Sequence, residues 1–385
     1  MIVGDGQVNY TSYPGLIPNN LTWEKVTTYD VGVDVDMFKN RLTIGFDWYR
    51  RNTTDMYTVG PTLPEVLGTT QPKGNYANLK TKGWELTLSW RDNFKLAGSD
   101  FHYGVKFMLW DSQSWITKYN NATGKLSDYY EGYRIGDIWG YNIEGLFTSY
   151  DEIANHADQD YIKISDSKIW QPGDLKFADL NGDGKIDKGA QTLSDHGDLV
   201  IVGNEEERYH YGFNLNVGWK GIGISAFFQG VGKRDWYPGQ ETGFFWGKYN
   251  RPYGYSLKMH ENRWTEENPN PNAYWPRLVG YSSENGGRPM GTPNNRYMQD
   301  ASYLRLKALT VDYSLPQAWV SKLGLTGLKI YFTGENLFTF SNICENFDPE
   351  VIKGGDVDLK DRKGEEQGYS YPMLKTYTVG LNVSF

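Results

Sequence analysis

"TYTVGLNVSF", residues 376–385, alternates without a break. Tyr377, Val379, Leu381, Val383 and Phe385 fall on one face of an extended chain, and Thr376, Thr378, Gly380, Asn382 and Ser384 on the other. Such a segment needs an apolar medium on one side and a wet one on the other. A half-buried soluble sheet supplies that, and so does a barrel wall between lipid and water.

The pattern recurs upstream. In "YDVGVDVDMF", Tyr29, Val31, Val33, Val35 and Met37 oppose Asp30, Gly32, Asp34 and Asp36. In "LTIGFDWYR", Leu42, Ile44, Phe46 and Trp48 oppose Thr43, Gly45, Asp47 and Tyr49, and only "KNR" separates the two runs, as in a tight hairpin. "WELTLSW", "FHYGVKFML" and "YHYGFNLNVGW" repeat the alternation; "GIGISAFFQGV", "YLRLKALTVDYSL" and "LKIYFTGENLF" follow it less regularly. One face carries aliphatic and aromatic residues, while Asp, His, Asn, Lys, Glu and Gly recur on the other.

Composition fits a strand-built membrane wall. Aromatics make up 16% of the 385 residues, with 29 Tyr and 14 Trp. Girdles at two membrane interfaces would use them, as would sugar-stacking platforms. No run approaches the roughly 18 apolar residues of a spanning helix, and mean hydropathy is −0.62. The 44 glycines suit turns. A formal net charge of −8 and the lack of a basic run argue against nucleic acid. The lone Cys344 excludes a disulfide scaffold. "MIVGDGQVNYTSYPG" has neither the basic nor the apolar region of a signal peptide.

The spacing predicts nine strands, at about 28–38, 41–51, 82–91, 100–110, 208–219, 222–232, 302–315, 327–338 and 374–385. Short connections alternate with long ones of about 30 residues or more, whereas a soluble sandwich shows strands spaced evenly at roughly 8–12 residues. Short turns on one side and long loops on the other mark an outer-membrane barrel. With the short turns in the periplasm, the chain ends on the periplasmic side if 111–207 crosses the membrane zero times or twice. Zero is preferred, because "GYRIGDIWGYNIEGLF" (132–147) is broken by glycines and lacks a clean apolar face.

Two loop motifs carry candidate chemistry. In "DLNGDGKID", Asp179, Asn181, Asp183 and Asp187 stand at positions 1, 3, 5 and 9 of a calcium loop, with Gly184 at 6 and the Lys185 carbonyl at 7. Ala190 occupies position 12, where a bidentate acid belongs; Asp195 or Asp198 could substitute, and the alternative is a turn that binds nothing. "RDWYPGQETGFFWGKYNRPYGY" (234–255) gathers Trp236, Tyr237, Phe244, Phe245, Trp246 and Tyr249, either to stack on sugar rings or peptide side chains of a substrate, or to pack the long loops together. "ENPNPNAYWPR" (267–277) fixes backbone course and is assigned no chemistry. The His residues show no metal spacing, and no nucleophile elbow or phosphate loop occurs, so an enzyme is not expected.

"NLTWEKVTTYDVGVDVDMFKNRLTIGFDWYRRNTTDM", "KGWELTLSW", "PGDLKFADLNGDGKID", "GFNLNVGWKGIGISAFFQGVG", "YLRLKALTVDYSLP", "IYFTGENLFTFSN" and the closing strand together resemble the C-terminal part of SusC/RagA-type TonB-dependent outer-membrane transporters of Bacteroidetes. The resemblance implies an all-β antiparallel transmembrane barrel wall over 1–385, nine strands of about 22. It implies extracellular loops at 111–207, 233–301 and 339–373. It implies import of oligosaccharide or peptide fragments, a SusD-like lipoprotein lid, and TonB acting through a plug. Tyr377, Val379, Leu381, Val383 and Phe385 match the signal read by the barrel-assembly machinery. Neither plug nor signal peptide is recognisable, so the chain reads as a fragment that is not transport-competent alone. The alternatives are a soluble β-sandwich that binds carbohydrate, with calcium as a staple, and a small self-contained pore, which an odd strand count disfavours.

Overall fold

The computed structural model describes residues 21–60, 72–162, 169–239, 242–249, 254–278, 292–352 and 370–385. The opening stretch "MIVGDGQVNYTSYPG" lies outside the described residues, as do stretches within each of the long loops.

Nine strands form one antiparallel sheet. They are β1 (Lys25–Met37), β2 (Leu42–Val59), β3 (Lys73–Leu96), β4 (Ser99–Lys118), β5 (Arg208–Trp219), β6 (Ile222–Lys233), β7 (Tyr303–Ser314), β8 (Gly327–Ser341) and β9 (Thr376–Ser384). Each strand pairs with its neighbours in sequence, so the sheet is a simple meander from β1 to β9. All nine expected strands are present, and among the described residues 119–207 adds none to the sheet.

The turns at one end are tight. Ala97 and Gly98 have φ of 48° and 77°, and Lys220 and Gly221 have 49° and 81°. Positive φ at both central residues gives a hairpin turn whose twist matches that of its strands. At the other end, β2 and β3 run well past the expected limits, and only 60–72 joins them instead of the long loop expected there. The reason lies in the outward positions. Beyond Trp48 and Trp84 come Arg50 opposite Lys82 and Asn52 opposite Lys80. There the sheet is wet on both faces, so the alternation disappears while the ladder continues.

The soluble sandwich fails on the packing. Among the described residues no second sheet lies against the nine strands; the remaining ladders are two-stranded and lie in the connections. The apolar faces stay open: Val31 is 64% exposed and Val379 74%. The main hydrophobic core is elsewhere, in the long connections at the open end, where parts of 141–199, 236–301 and 343–352 pack together. "GYRIGDIWGYNIEGLF" supplies two short ladder strands to this layer, Asp137–Gly140 and Ile143–Leu146.

Candidate functional site

Register builds the outer surface. Val35, Ile44, Leu88, Phe107, Phe213, Phe228, Leu306 and Phe338 face one another in turn across β1 to β8. Ile330 and Phe332 carry the band on to Leu381 and Val379 of β9. Aromatic pairs border it: Trp48 opposite Trp84 near the loops, and Phe101 opposite Trp219 near the turns. The indole N–H of Trp90 donates to the Tyr103 hydroxyl at 2.9 Å. A ring with a polar edge suits a boundary between oil and water.

One residue along, the opposite face reads Asp36, Thr43, Ser89, Lys106 and Asn214 from β1 to β5. It is polar and internally bonded: Thr43 donates to Asp36 at 2.6 Å, and Lys329 pairs with Asp312 at 3.0 Å. Glycines on this face make room for rings. Tyr331 lies across Gly380, where a methyl group would overlap the phenol.

The aromatic loop serves the interior of the loop layer. Trp236, Phe245, Trp246 and Tyr249 are 1–2% exposed, while Phe244 is 43% exposed and Tyr237 is partly buried against the core. Their centre is Trp275, in the stretch assigned no chemistry from sequence. Its ring stacks on Tyr249 at 5.1 Å and Tyr297 at 5.2 Å and meets Phe245, Trp246, His260 and Tyr274 at 4.6 to 6.0 Å. Only Phe244 and Tyr237 of the six candidates thus keep surface for a ligand or lid.

A buried ion cluster joins this layer to the wall, and nothing local in the sequence announces it. Arg305 of β7 is 2% exposed. Its guanidinium bonds Asp348 at 2.6 Å, Glu350 at 2.5 Å and the Thr339 hydroxyl at 2.8 Å. Lys307 reaches the other Glu350 oxygen at 2.7 Å. Charged hydrogen bonds of this kind are strong and directional. They hold the start of the last loop against β7 and β8.

The 179–187 loop closes on itself. Asp179 accepts the amides of Gly182 and Gly184 at 2.7 and 2.9 Å, Asp183 accepts that of Lys185 at 2.8 Å, and Asp187 accepts that of Gly189 at 2.7 Å. Asn181 donates to Asp183 and accepts the Asp183 amide. Asp198, fully buried, takes the amides of Leu180, Asn181 and Asp187. Among the described residues no group of three or more His, Cys, Asp or Glu side chains is arranged to hold a metal ion. These bonds cap the turn, and Asp179, Asp183 and Asp187 of the calcium reading all take part in them.

The last strand presents Tyr377, Val379, Leu381 and Val383 outward, with Phe385 90% exposed just beyond it. Known proteins match this arrangement. The family described as TonB dependent receptor-like, beta-barrel, matches residues 4–155. TonB-dependent receptor P3 of Formosa agariphila is 28% identical over 399 residues, which cover 100% of this chain and 36% of that protein. The chain is similar along its whole length to TonB-dependent receptors of the SusC/RagA type. TonB-dependent receptor SusC of Bacteroides thetaiotaomicron is 24% identical, covering 97% of the chain and 33% of SusC. The RagAB peptide transporter superposes with a TM-score of 0.66 at 22% identity, over 95% of this chain and 36% of that one, and so shares the fold. The barrel segment thus spans about a third of the length of these relatives. TonB-dependent receptors of this type are non-enzymatic transporters of the outer membrane.

Proposed function

We infer that this chain forms wall and outer loops of an importer that carries oligosaccharide or peptide fragments across the bacterial outer membrane. A SusD-like lipoprotein would close over the loop layer, and TonB would supply energy through the plug of the complete receptor. The barrel-assembly machinery would dock on β9. The observation that supports this most is the unbroken apolar band on one face of the nine strands, with polar side chains and glycines predominating on the other. In a membrane the first face meets hydrocarbon and the second lines a wet lumen. The similar structure named as the RagAB peptide transporter supports peptide as one cargo class and a second subunit as partner.

Single cysteines introduced into a Cys344→Ser background test the orientation. Bimane at Phe46, Phe213 or Val379 is expected to be quenched by brominated lipid and spared by water-soluble thiol reagents. Probes at Asp47, Asn214 or Thr378 should behave in the reverse way. Outward probes that escape quenching in native membranes would overturn the barrel assignment. For cargo, a strain lacking the complete receptor should lose uptake of labelled oligosaccharide or labelled peptide, and whichever is lost names the substrate class.

A further inference from the structure

We propose that the loop layer carries a binding pocket for an organic cation, an ammonium or guanidinium group, beside the end of β4. A cavity of about 460 Å³ opens there between 119–139 and the segment following the short strand Val200–Asn204. Its walls include the rings of Tyr119, Tyr129, Tyr133 and Trp139. Tyr119 and Tyr129 meet edge to face, 5.7 Å apart at 84°, and Tyr129 and Tyr133 lie 5.5 Å apart at 59°. Rings set at such angles form the sides of a box rather than the flat platform on which a sugar ring stacks.

The charge around the rings has one dominant sign. Exposed carboxylates of Asp128 and Glu206 line the same cavity, and among the described residues neither enters an ion pair. Asp137 differs, being tied to Arg134 at 2.8 Å and to the Asn204 amide at 2.9 Å. Lys188 is the one basic side chain on the lining among the described residues. Burial first, and then the charges of neighbouring carboxylates, make the Tyr119 and Tyr133 hydroxyls harder to ionise, Asp128 acting on Tyr119 and Glu205 on Tyr133. That is the response expected where the local potential is negative. Aromatic faces attract cations through their quadrupole, and more strongly when water is partly excluded. Rings and carboxylates together therefore favour a positively charged group over a neutral one of the same shape.

Equilibrium binding to the detergent-purified protein, read by calorimetry, tests this with two matched pairs. One pair is the tripeptide Gly-Arg-Gly and its uncharged citrulline counterpart; the other is glucosamine and N-acetylglucosamine. The charged member of at least one pair should saturate and bind about tenfold more tightly than its neutral partner. The pair that responds tells whether the cation comes from a peptide or an amino sugar. Asp128→Asn with Glu206→Gln should erase that tenfold preference. Tyr119→Leu should weaken the charged probe while Tyr119→Phe keeps it. Equal binding of the neutral partners, or saturation by neither charged probe in protein with native heat-modifiable mobility, would overturn the proposal. Binding is read without transport, so that failure would leave the importer reading untouched.

Discussion

The wall and the loop layer place the same residue types in opposite surroundings. On the wall, Tyr377 and Val379 are 63% and 74% exposed; in the loop layer, Trp246 and Tyr249 are 2% and 1% exposed. Wall rings and aliphatics point away from the protein, whereas loop rings point into it. The wall keeps its shape through a backbone ladder that runs through every strand, while the layer keeps its shape through side-chain packing across segments distant in sequence. The difference teaches that exposure of apolar surface here is set by the solvent of each region. Damage should likewise stay within the region it strikes.

The largest effect is expected at the centre of the loop layer. Trp275 is 1% exposed and meets six other rings. Trp275→Ala should cost about 3–5 kcal/mol of local stability, the usual range for a large aromatic deleted from a core. Limited proteolysis in membranes should then cut the loops while the strands stay protected and the heat-modifiable band persists. Loss of the band together with the loops would mean that wall and layer fold as one unit.

Arg305 tests the junction. Truncation to Met leaves Asp348 and Glu350 without their shared guanidinium, and breaking a buried ion pair on one side costs about 3–5 kcal/mol. Lys307 still reaches Glu350, which places the expected loss at the low end of that range. The 342–352 segment should become accessible to protease before the rest of the layer. Protection equal to wild type would show that the core, not the ion cluster, holds that segment.

The wall is sharpened by a matched pair of adjacent sites. Phe213 lies in the middle of the apolar band, and Asn214 beside it faces the other way. Arginine on the lipid side of a barrel near mid-depth costs about 2–4 kcal/mol, and lumen positions tolerate charge. Phe213→Arg should lower the yield of assembled protein, and Asn214→Arg should leave it near wild type. Equal yields would remove the distinction between the two faces.

How much of this was legible follows from periodicity. A wall strand with one dry face writes a period of two into its residues, so all nine strands could be read from Tyr29 to Phe385. The extensions of β2 and β3 could not, since Arg50, Lys82, Asn52 and Lys80 stand where both faces are wet. Asp198, which the sequence offers as a substitute calcium ligand, accepts three backbone amides in the fold, contacts that residue type alone does not announce. Trp275 sits in a Pro/Asn-rich run with no period, and Arg305 finds its acids in a loop more than 40 residues away. Such contacts depend on where whole loops come to rest, and no local pattern encodes them.

The smallest expected effect is a pH dependence confined to the loop layer. His260 is 2% exposed. Its Nε2 lies 2.7 Å from the Phe245 carbonyl oxygen, and its Nδ1 accepts the Leu257 amide at 3.0 Å. These partners select the neutral ring with the proton on Nε2, since a protonated Nδ1 would face a donor. Burial pushes its pKa down, the Phe245 carbonyl opposes this, and the nearby Arg263 charge adds to the lowering. In the unfolded chain the imidazole takes up its proton near pH 6.5, and in the fold only at lower pH. The unfolded state then binds more protons over that interval, so stability falls as pH drops through 6.5 and continues to fall until the folded ring also titrates. Protease resistance of the loops between pH 8 and 5 should decline more steeply for wild type than for His260→Gln, with the strands unaffected in both. Parallel curves would place the acid sensitivity on other groups and leave the buried ring a packing element only.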